Sequence, residues 1–471
     1  MPSLTTSLRF SRTALAISAL FALAACQDMP PAAGDDPAVS LRTEKVPESE
    51  PLLELQQTDG WLVVFKPNID ALDRSRALVA AQAAVSYTLQ YVDGVVIRSG
   101  DVDALRANPI VEAVYLNTRF TTQQAYQTNA LYWRRGVQWD MRQIEAHLAT
   151  TRGTGVRVCV VDGPIAATHR DFAGKVIALA HFPGNASWAA TANFSSHGSH
   201  VASTVSTNGI GLASVAPGAV LLSANVFGPS QFTSVAQIID GMMWCVQPAQ
   251  SADVINLSLG GPRTRGSDAW KSDSTIYWVY TTVARTKGAV VVAAAGNDGV
   301  ALPSASSGYV PAEVGGVIAV GATGPASSTA FPFAPQAPHP SFDLRPAYSN
   351  HNSGNEALGV GVRIYAPGGT RSDLSQLRIL GVCSGLAIAR NCSGADTYFA
   401  NHGTSMAAPH VSGVVALITQ RYVGRPRDLT RAANIEACLL QTADPLPAGA
   451  PFFGRGRVNA RRATTESCPG L

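Results

Sequence analysis

The stretch 138–471 predicts an α/β fold, a parallel β-sheet with helices on both faces. Continuous apolar runs recur at 156–161, 220–226, 254–257, 289–293 and 317–320. Helical patterns lie between them. The runs do not alternate with polar residues, so both faces of each strand must be covered, and crossover helices are what cover a parallel sheet. Composition agrees, with 46% hydrophobic and 14% charged residues in a chain of 471, enough apolar side chain for a sizeable core.

The N-terminus reads differently. Arg9 and Arg12 precede an apolar run over 14–25 that is too short to span a bilayer comfortably. It ends in Leu23-Ala24-Ala25-Cys26, which resembles a bacterial lipobox. Residues 1–25 are therefore expected to be an export signal of the lipoprotein type, with Cys26 lipidated as the first mature residue. An ordinary signal peptide with a chance cysteine is the alternative, and it would leave a free thiol at the mature N-terminus. The expected location is the cell envelope, anchored in the membrane through the lipid on Cys26. In a Gram-negative host Gln27 favours the outer membrane. Cutting farther along the chain would release the remainder outside the cell.

Residues 26–57 are rich in Pro, Asp, Glu and Ser and predict a flexible tether. Over 58–120, strands at 61–66, 94–97 and 111–116 alternate with helices at 71–85 and 102–107, the second stopped before Pro109. This predicts a small α+β, ferredoxin-like unit, a sheet covered by two helices. A polar Thr- and Gln-rich stretch follows at 117–129, and residues 121–137 suit an exposed, cleavable linker. The Pro- and Ser-rich stretch 324–346 suggests a surface insertion.

Cysteine usage fits export. Besides Cys26 there are Cys159, Cys245, Cys383, Cys392, Cys438 and Cys468, an even number that permits disulfides. Cys383 and Cys392 flank a Gly/Ala-rich loop, and Cys438 and Cys468 are placed to tie down the C-terminal tail. Cys159 and Cys245 sit in apolar surroundings, where a disulfide and two buried thiols read alike. No spacing resembles a zinc site. The net charge of +3, with no basic run of five, excludes a nucleic-acid partner.

Three segments carry chemistry. Val158-Cys159-Val160-Val161-Asp162 is an apolar strand ending in a carboxylate. Ser196-His197-Gly198-Ser199-His200 puts a histidine at a helix start. Gly403-Thr404-Ser405-Met406-Ala407-Ala408-Pro409-His410 puts a serine at a Gly-led turn into another helix. A serine hydroxyl attacks only if a base takes its proton, and the base needs an acid to fix its tautomer and balance its charge. Each segment alone has a bland explanation as turn, cap or structural pair. Together they supply acid, base and nucleophile as Asp162, His197 and Ser405.

On these strings the chain from about residue 138 resembles the subtilisin-like serine proteases. The resemblance implies a serine endopeptidase that acts on protein or peptide substrates through an acyl-enzyme and needs no cofactor for the chemistry. GTSMAAPHVSG matches the nucleophile motif of that family, and SHGSHVAS its histidine motif with Ser199 in place of the usual threonine. VVDGPIAATHRDF departs from the aspartate motif, since Gly163 and Pro164 replace a hydroxyl residue and a glycine. Val292-Ala293-Ala294-Ala295-Gly296-Asn297 resembles the segment that carries the oxyanion-hole asparagine, which implies that role for Asn297 beside the backbone N–H of Ser405. Ser258, Leu259 and Gly260 resemble the strand that binds substrate backbone and walls the specificity pocket. Phe227 and Gly228 resemble the start of the opposite strand.

The resemblance also makes the 58–120 unit an inhibitory propeptide that assists folding and is then cut off; a separate small binding domain is the alternative. Asp171, Asn208 and the carbonyls of Ile210 and Leu212 resemble a structural calcium site, with a bare glycine turn as the alternative. Two competing functions follow. A catalytically weak or inactive binding lipoprotein has only the Gly163-Pro164 departure in its favour. A lipase or esterase would carry Gly-x-Ser-x-Gly with serine first, which this chain does not.

Overall fold

In the computed structural model the structure describes residues 58–121, 138–182, 196–227, 232–325, 338–353, 360–371, 377–383, 398–446 and 454–471. The expected signal, tether and linker, and with them Cys26, Gly228 and Cys392, lie outside the described residues.

The N-terminal unit runs β1 (Thr58–Phe65), α1 (Ala71–Ala80), β2 (Val85–Thr88), β3 (Gly94–Ile97), α2 (Val102–Ala107) and β4 (Val111–Thr121). Its antiparallel sheet has the order β2-β3-β1-β4, the ferredoxin-like arrangement. Both helices start on an aspartate cap, Asp70 accepting from Asp73 N and Asp101 from Ala104 N. Two boundaries differ from the sequence expectation. The first helix stops at Ala80, because Gln82 takes a positive φ of 51°; the strand after it, β2, is largely exposed and has no apolar run. The last strand continues to Thr121. Asn117 and Thr118, expected in an exposed linker, are buried. Their polar groups are satisfied from outside the unit: Asn117 Oδ1 accepts from Ala236 N at 3.1 Å, and Thr118 Oγ1 donates to Asp273 Oδ2 at 2.8 Å.

The larger part follows as α3 (Trp139–Gln143), β5 (Arg157–Asp162), β6 (Val176–His181), α4 (His197–Val205), β7 (Val220–Asn225), β8 (Phe232–Ser234), α5 (Val235–Cys245) and β9 (Val254–Leu257). Next come β10 (Gly261–Thr264), α6 (Asp268–Thr286), β11 (Val290–Ala294), β12 (Ala301–Leu302), β13 (Ser307–Val310), β14 (Val317–Thr323), β15 (His351–Asn352) and β16 (Val362–Pro367). The chain ends with β17 (Ile379–Val382), β18 (Tyr398–Asn401), α7 (Thr404–Arg421), α8 (Leu429–Gln441) and α9 (Ala460–Thr465).

Seven of these strands form one sheet, ordered β16-β14-β11-β9-β5-β7-β6, and every pairing in it is parallel. Alternate residues of each strand point to opposite faces. Val158, Val160, Val290 and Val292 pack with α4 and α7, whereas Cys159, Val161, Val291 and Ala293 pack with α5 and α6. Two cores on one sheet explain why the strands read as unbroken apolar runs. The N-terminal unit joins the second core: Leu62, Val64 and Phe120 pack there, while Val63 and Phe65 face its own helices.

The cysteines with two open readings are paired, Cys159 to Cys245, which ties β5 to α5. Cys438 pairs with Cys468 at the C-terminal tail, and Cys383 is also disulfide-bonded. The stretch 338–346 is not the surface insertion expected. Phe342 is buried with its ring 5.3 Å from that of Trp139. Asp343 is buried and paired with Arg457.

Candidate active site

Open parallel sheets present their ligand-binding residues at the carboxyl ends of the strands. Asp162 is the last residue of β5, Ser258 follows β9, and Asn297 lies just past β11. His197 opens α4 and Ser405 stands in the first turn of α7.

Asp162 and His197 are both buried and in contact. His197 Nδ1 lies 2.8 Å and 3.0 Å from the two carboxylate oxygens. A proton on Nδ1 donated to Asp162 leaves Nε2 as the basic nitrogen. The backbone N–H of Gly163 donates to Asp162 Oδ1 at 2.6 Å. Ser199 ties the same turn to α4: its Oγ accepts from Ala166 N and donates to Pro164 O. The glycine after the histidine is required here, since a Cβ on Gly198 would stand 2.1 Å from Gly163 O.

Gly403 caps α7 with φ 142°, a conformation that disfavours any side chain, and it offers no side-chain cap bond. Ser405 N–H, in the first turn, sits at the positive end of an 18-residue helix. Asn297 is oriented by a residue the sequence reading passed over. Thr404 donates to Asn297 Oδ1 through its N–H at 2.8 Å and its hydroxyl at 2.9 Å. This fixes the orientation of the amide, with Oδ1 turned to Thr404 and Nδ2 on the other side. Thr404 Oγ1 in turn accepts from Gly296 N at 3.1 Å. Nothing but a hydroxyl at residue 404 can play both parts.

Ser258 acts through its side chain as well as its position. Its Oγ donates to Ser405 O at 2.8 Å and accepts from Asn256 Nδ2 at 2.9 Å. Asn256 Oδ1 accepts from Ser412 Oγ at 2.8 Å. Phe227, Ser258, Leu259, Gly260, Asn297 and Ser405 line one cleft, with Tyr309 as a wall that no motif announced. His402 stands nearby; burial first, and Arg378 and Arg371 second, push its pKa down to about 4, so it is a neutral imidazole near neutral pH.

Strand β8 pairs antiparallel with β4: Arg119 with Ser234, Phe120 with Thr233, Thr121 with Phe232. The N-terminal unit is also held at Asp240 on α5. That carboxylate accepts from Tyr87 Oη at 2.6 Å, Gln90 N at 2.9 Å and Tyr91 N at 2.7 Å. Burial raises the Asp240 pKa, and these bonds act against the rise.

The four calcium candidates lie together. Asp171 is buried and accepts from Ile210 N at 2.7 Å, Gly211 N at 3.1 Å and Tyr398 Oη at 2.7 Å. Asn208 Nδ2 donates to Arg170 O and Ala173 O. Leu212 O accepts from Thr207 Oγ1. An ionised carboxylate has about four acceptor sites, so Asp171 keeps capacity beyond these bonds. The donor set is all oxygen, which fits a hard divalent cation.

Comparison with known proteins gives this geometry a family. The Peptidase S8 (subtilase) family matches residues 153–462. Subtilisin DY of Bacillus licheniformis is 31% identical over 314 residues, covering 66% of this chain and 92% of that protein. M-protease of Shouchella clausii is 30% identical, covering 77% of each chain. Among solved structures, a protease from Pseudoalteromonas arctica is 28% identical with a TM-score of 0.53, covering 71% of this chain and 95% of that one. The epidermin leader peptide processing serine protease of Staphylococcus aureus shares the fold at 18% identity and a TM-score of 0.62, covering 86% and 97%. The chain, with its buried Asp162–His197 pair at the edge of a seven-stranded parallel sheet, belongs to the subtilase family of serine proteases.

Proposed function

We propose that this protein is an active serine endopeptidase, exported and made as a precursor that processes itself. Two observations carry the reading: the buried Asp162–His197 pair and the cleft that Ser405 and Asn297 line together. His197 Nε2 takes the Ser405 proton as Oγ attacks the peptide carbonyl. Asp162 holds the ring and balances its charge. Asn297 Nδ2 and the Ser405 N–H receive the charge that builds on the carbonyl oxygen, and such a donor is typically worth about 2.7–4 kcal/mol. The imidazolium then protonates the leaving amine, and water, activated by the same base, releases the acyl group. The Gly163 departure removes a hydroxyl beside Asp162 but leaves the Asp162–His197 pair in contact, so it does not favour an inactive binding protein.

The 58–121 unit acts as the inhibitory propeptide in this proposal. Its last strand adds to β8 beside the cleft and its face is clasped by Asp240. Because β4 stays paired as far as Thr121, the cut that frees the enzyme falls after that residue and before Gln138. Residues 1–25 serve as the signal and Cys26 carries the lipid, so the precursor is anchored at the membrane and cutting after Thr121 separates the peptidase from its anchor. Asp171, Asn208 and the carbonyls of Ile210 and Leu212 would hold a calcium ion whose part is to stabilise the loop; the acyl transfer does not use it.

The Ser405→Ala variant is expected to keep its fold and to accumulate as uncut precursor, read by intact mass and N-terminal sequencing. Normal processing of that variant, or an active wild type whose N-terminus precedes Trp61, would overturn the scheme. Thr404→Val should lower kcat about 10-fold with KM nearly unchanged, because Asn297 loses its orientation and binding contacts stay; a rise in KM at constant kcat would contradict the positioning role. Free calcium should raise the melting temperature of the wild type by mass action. Asp171→Ala should erase most of that shift. Equal melting temperatures in calcium and in chelator would show that the loop stands on its own hydrogen bonds.

A further inference from the structure

We infer that Arg263 reads a hydroxyl–x–aromatic element in the N-terminal flank of the peptide substrate. The inference rests on the peptidase reading and adds to it a residue that no active-site motif contains. In the structure the chain's own strand β4 occupies the site. Phe120 is 3% exposed, and the Arg263 guanidinium lies 4.6 Å above its ring centroid. The Tyr277 ring meets it edge-on at 6.5 Å, and Gly261 leaves the floor open to it. Two residues earlier, Thr118 Oγ1 accepts from Arg263 Nη2 at 2.8 Å and donates to Asp273 Oδ2 at 2.8 Å. One guanidinium thus covers a ring and bonds a hydroxyl at positions i and i−2, the spacing that puts two strand side chains on one face.

The pocket is built to hold that cation. Arg263 Nε donates to Asp273 Oδ2 at 2.7 Å, and Asp273 is buried. Burial pushes the Asp273 carboxyl up, while the Arg263 charge and the bonds from Thr118 and Arg263 oppose this. A pocket meant only for apolar side chains gains nothing from a buried carboxylate, whose desolvation is costly. A carboxylate that fixes a guanidinium over a ring gains selectivity, because the cation is attracted by a π face and not by an aliphatic group of equal size. The backbone contact is strand addition to the edge of β8, which gives affinity without reading sequence, so specificity falls to inward side chains such as these. Once the 58–121 unit departs, the same edge and the same guanidinium face the next peptide to lie along the cleft.

The test uses the processed wild-type enzyme and three peptides that share one scissile bond and one extended flank. The flank carries Thr-x-Phe, Thr-x-cyclohexylalanine or Val-x-Phe, and kcat/KM is read for each. Phe should exceed cyclohexylalanine by about 3- to 30-fold, and Thr should exceed Val by roughly 2- to 10-fold. In the double variant Arg263→Met/Asp273→Asn, which leaves no unpaired buried carboxylate, both ratios should fall to near one; a ratio within one variant does not depend on how much of it is folded. Equal rates for the three peptides in the wild type overturn the inference, as do ratios that survive in the double variant. A protein that cleaves none of these peptides, nor a short peptide lacking the flank, in a Ser405-dependent way would refute the peptidase reading instead.

Discussion

The first turn of α7 must stand at one height above the sheet, and most of the site depends on that constraint. Two polar threads set it. Asn256 and Ser258 fasten the helix to the end of β9, one through Ser412 and one through Ser405 O. Asn297 and Gly296 fasten it to the end of β11 through Thr404. Asn256, Ser258, Ser412 and Thr404 are buried, where an unmet donor or acceptor would cost about 1–3 kcal/mol. Ser405, the proposed nucleophile, and Asn297, the proposed oxyanion donor, are therefore positioned by bonds that also close the core. Beneath them the helix carries its own buried tie, His410 to Met406 O and to Asp140 on α3.

The N-terminal unit uses a different physics. It offers the cleft a strand edge, an aromatic ring and a hydroxyl, and it offers α5 three donors for one carboxylate. Asp240 receives no other hydrogen bond among the described residues, so departure of the unit returns that carboxylate to water. Leu62, Val64 and Phe120 also pack against the larger part, whereas Val63, Phe65, Ile97 and Leu105 form a core within the unit. In the propeptide reading proposed above, the unit folds on that core and docks through the rest.

How much of this was legible in the sequence depended on how local the feature is. The parallel sheet was readable because both faces of β5, β9 and β11 are covered, which forces unbroken apolar runs. The strings around Asp162, His197 and Ser405 were readable because each is a strand end or helix start with its own turn chemistry. Strands β2 and β8 were not, being short and partly exposed, and β8 pairs with a strand far along the chain. The Cys159–Cys245 bond was undecidable, since a buried thiol and a buried disulfide occupy the same apolar context. Asp240 and Arg263 carry charges that read as solvated when seen alone; their partners lie in the 58–121 unit for Asp240, and in that unit and on Asp273 for Arg263. Thr404 was hidden inside its motif, where a helix start already explains a threonine.

The central claim is that Asp162, His197 and Asn297 activate one serine, Ser405, in this fold. Labelling with a fluorophosphonate, followed by peptide mass mapping, tests it most directly because the reagent reacts only with a serine whose proton is being removed. The account predicts a single label on the peptide containing Ser405, lost in His197→Ala and slowed in Asn297→Ala. A label on another residue, or labelling of Ser405 that persists undiminished in His197→Ala, would contradict it.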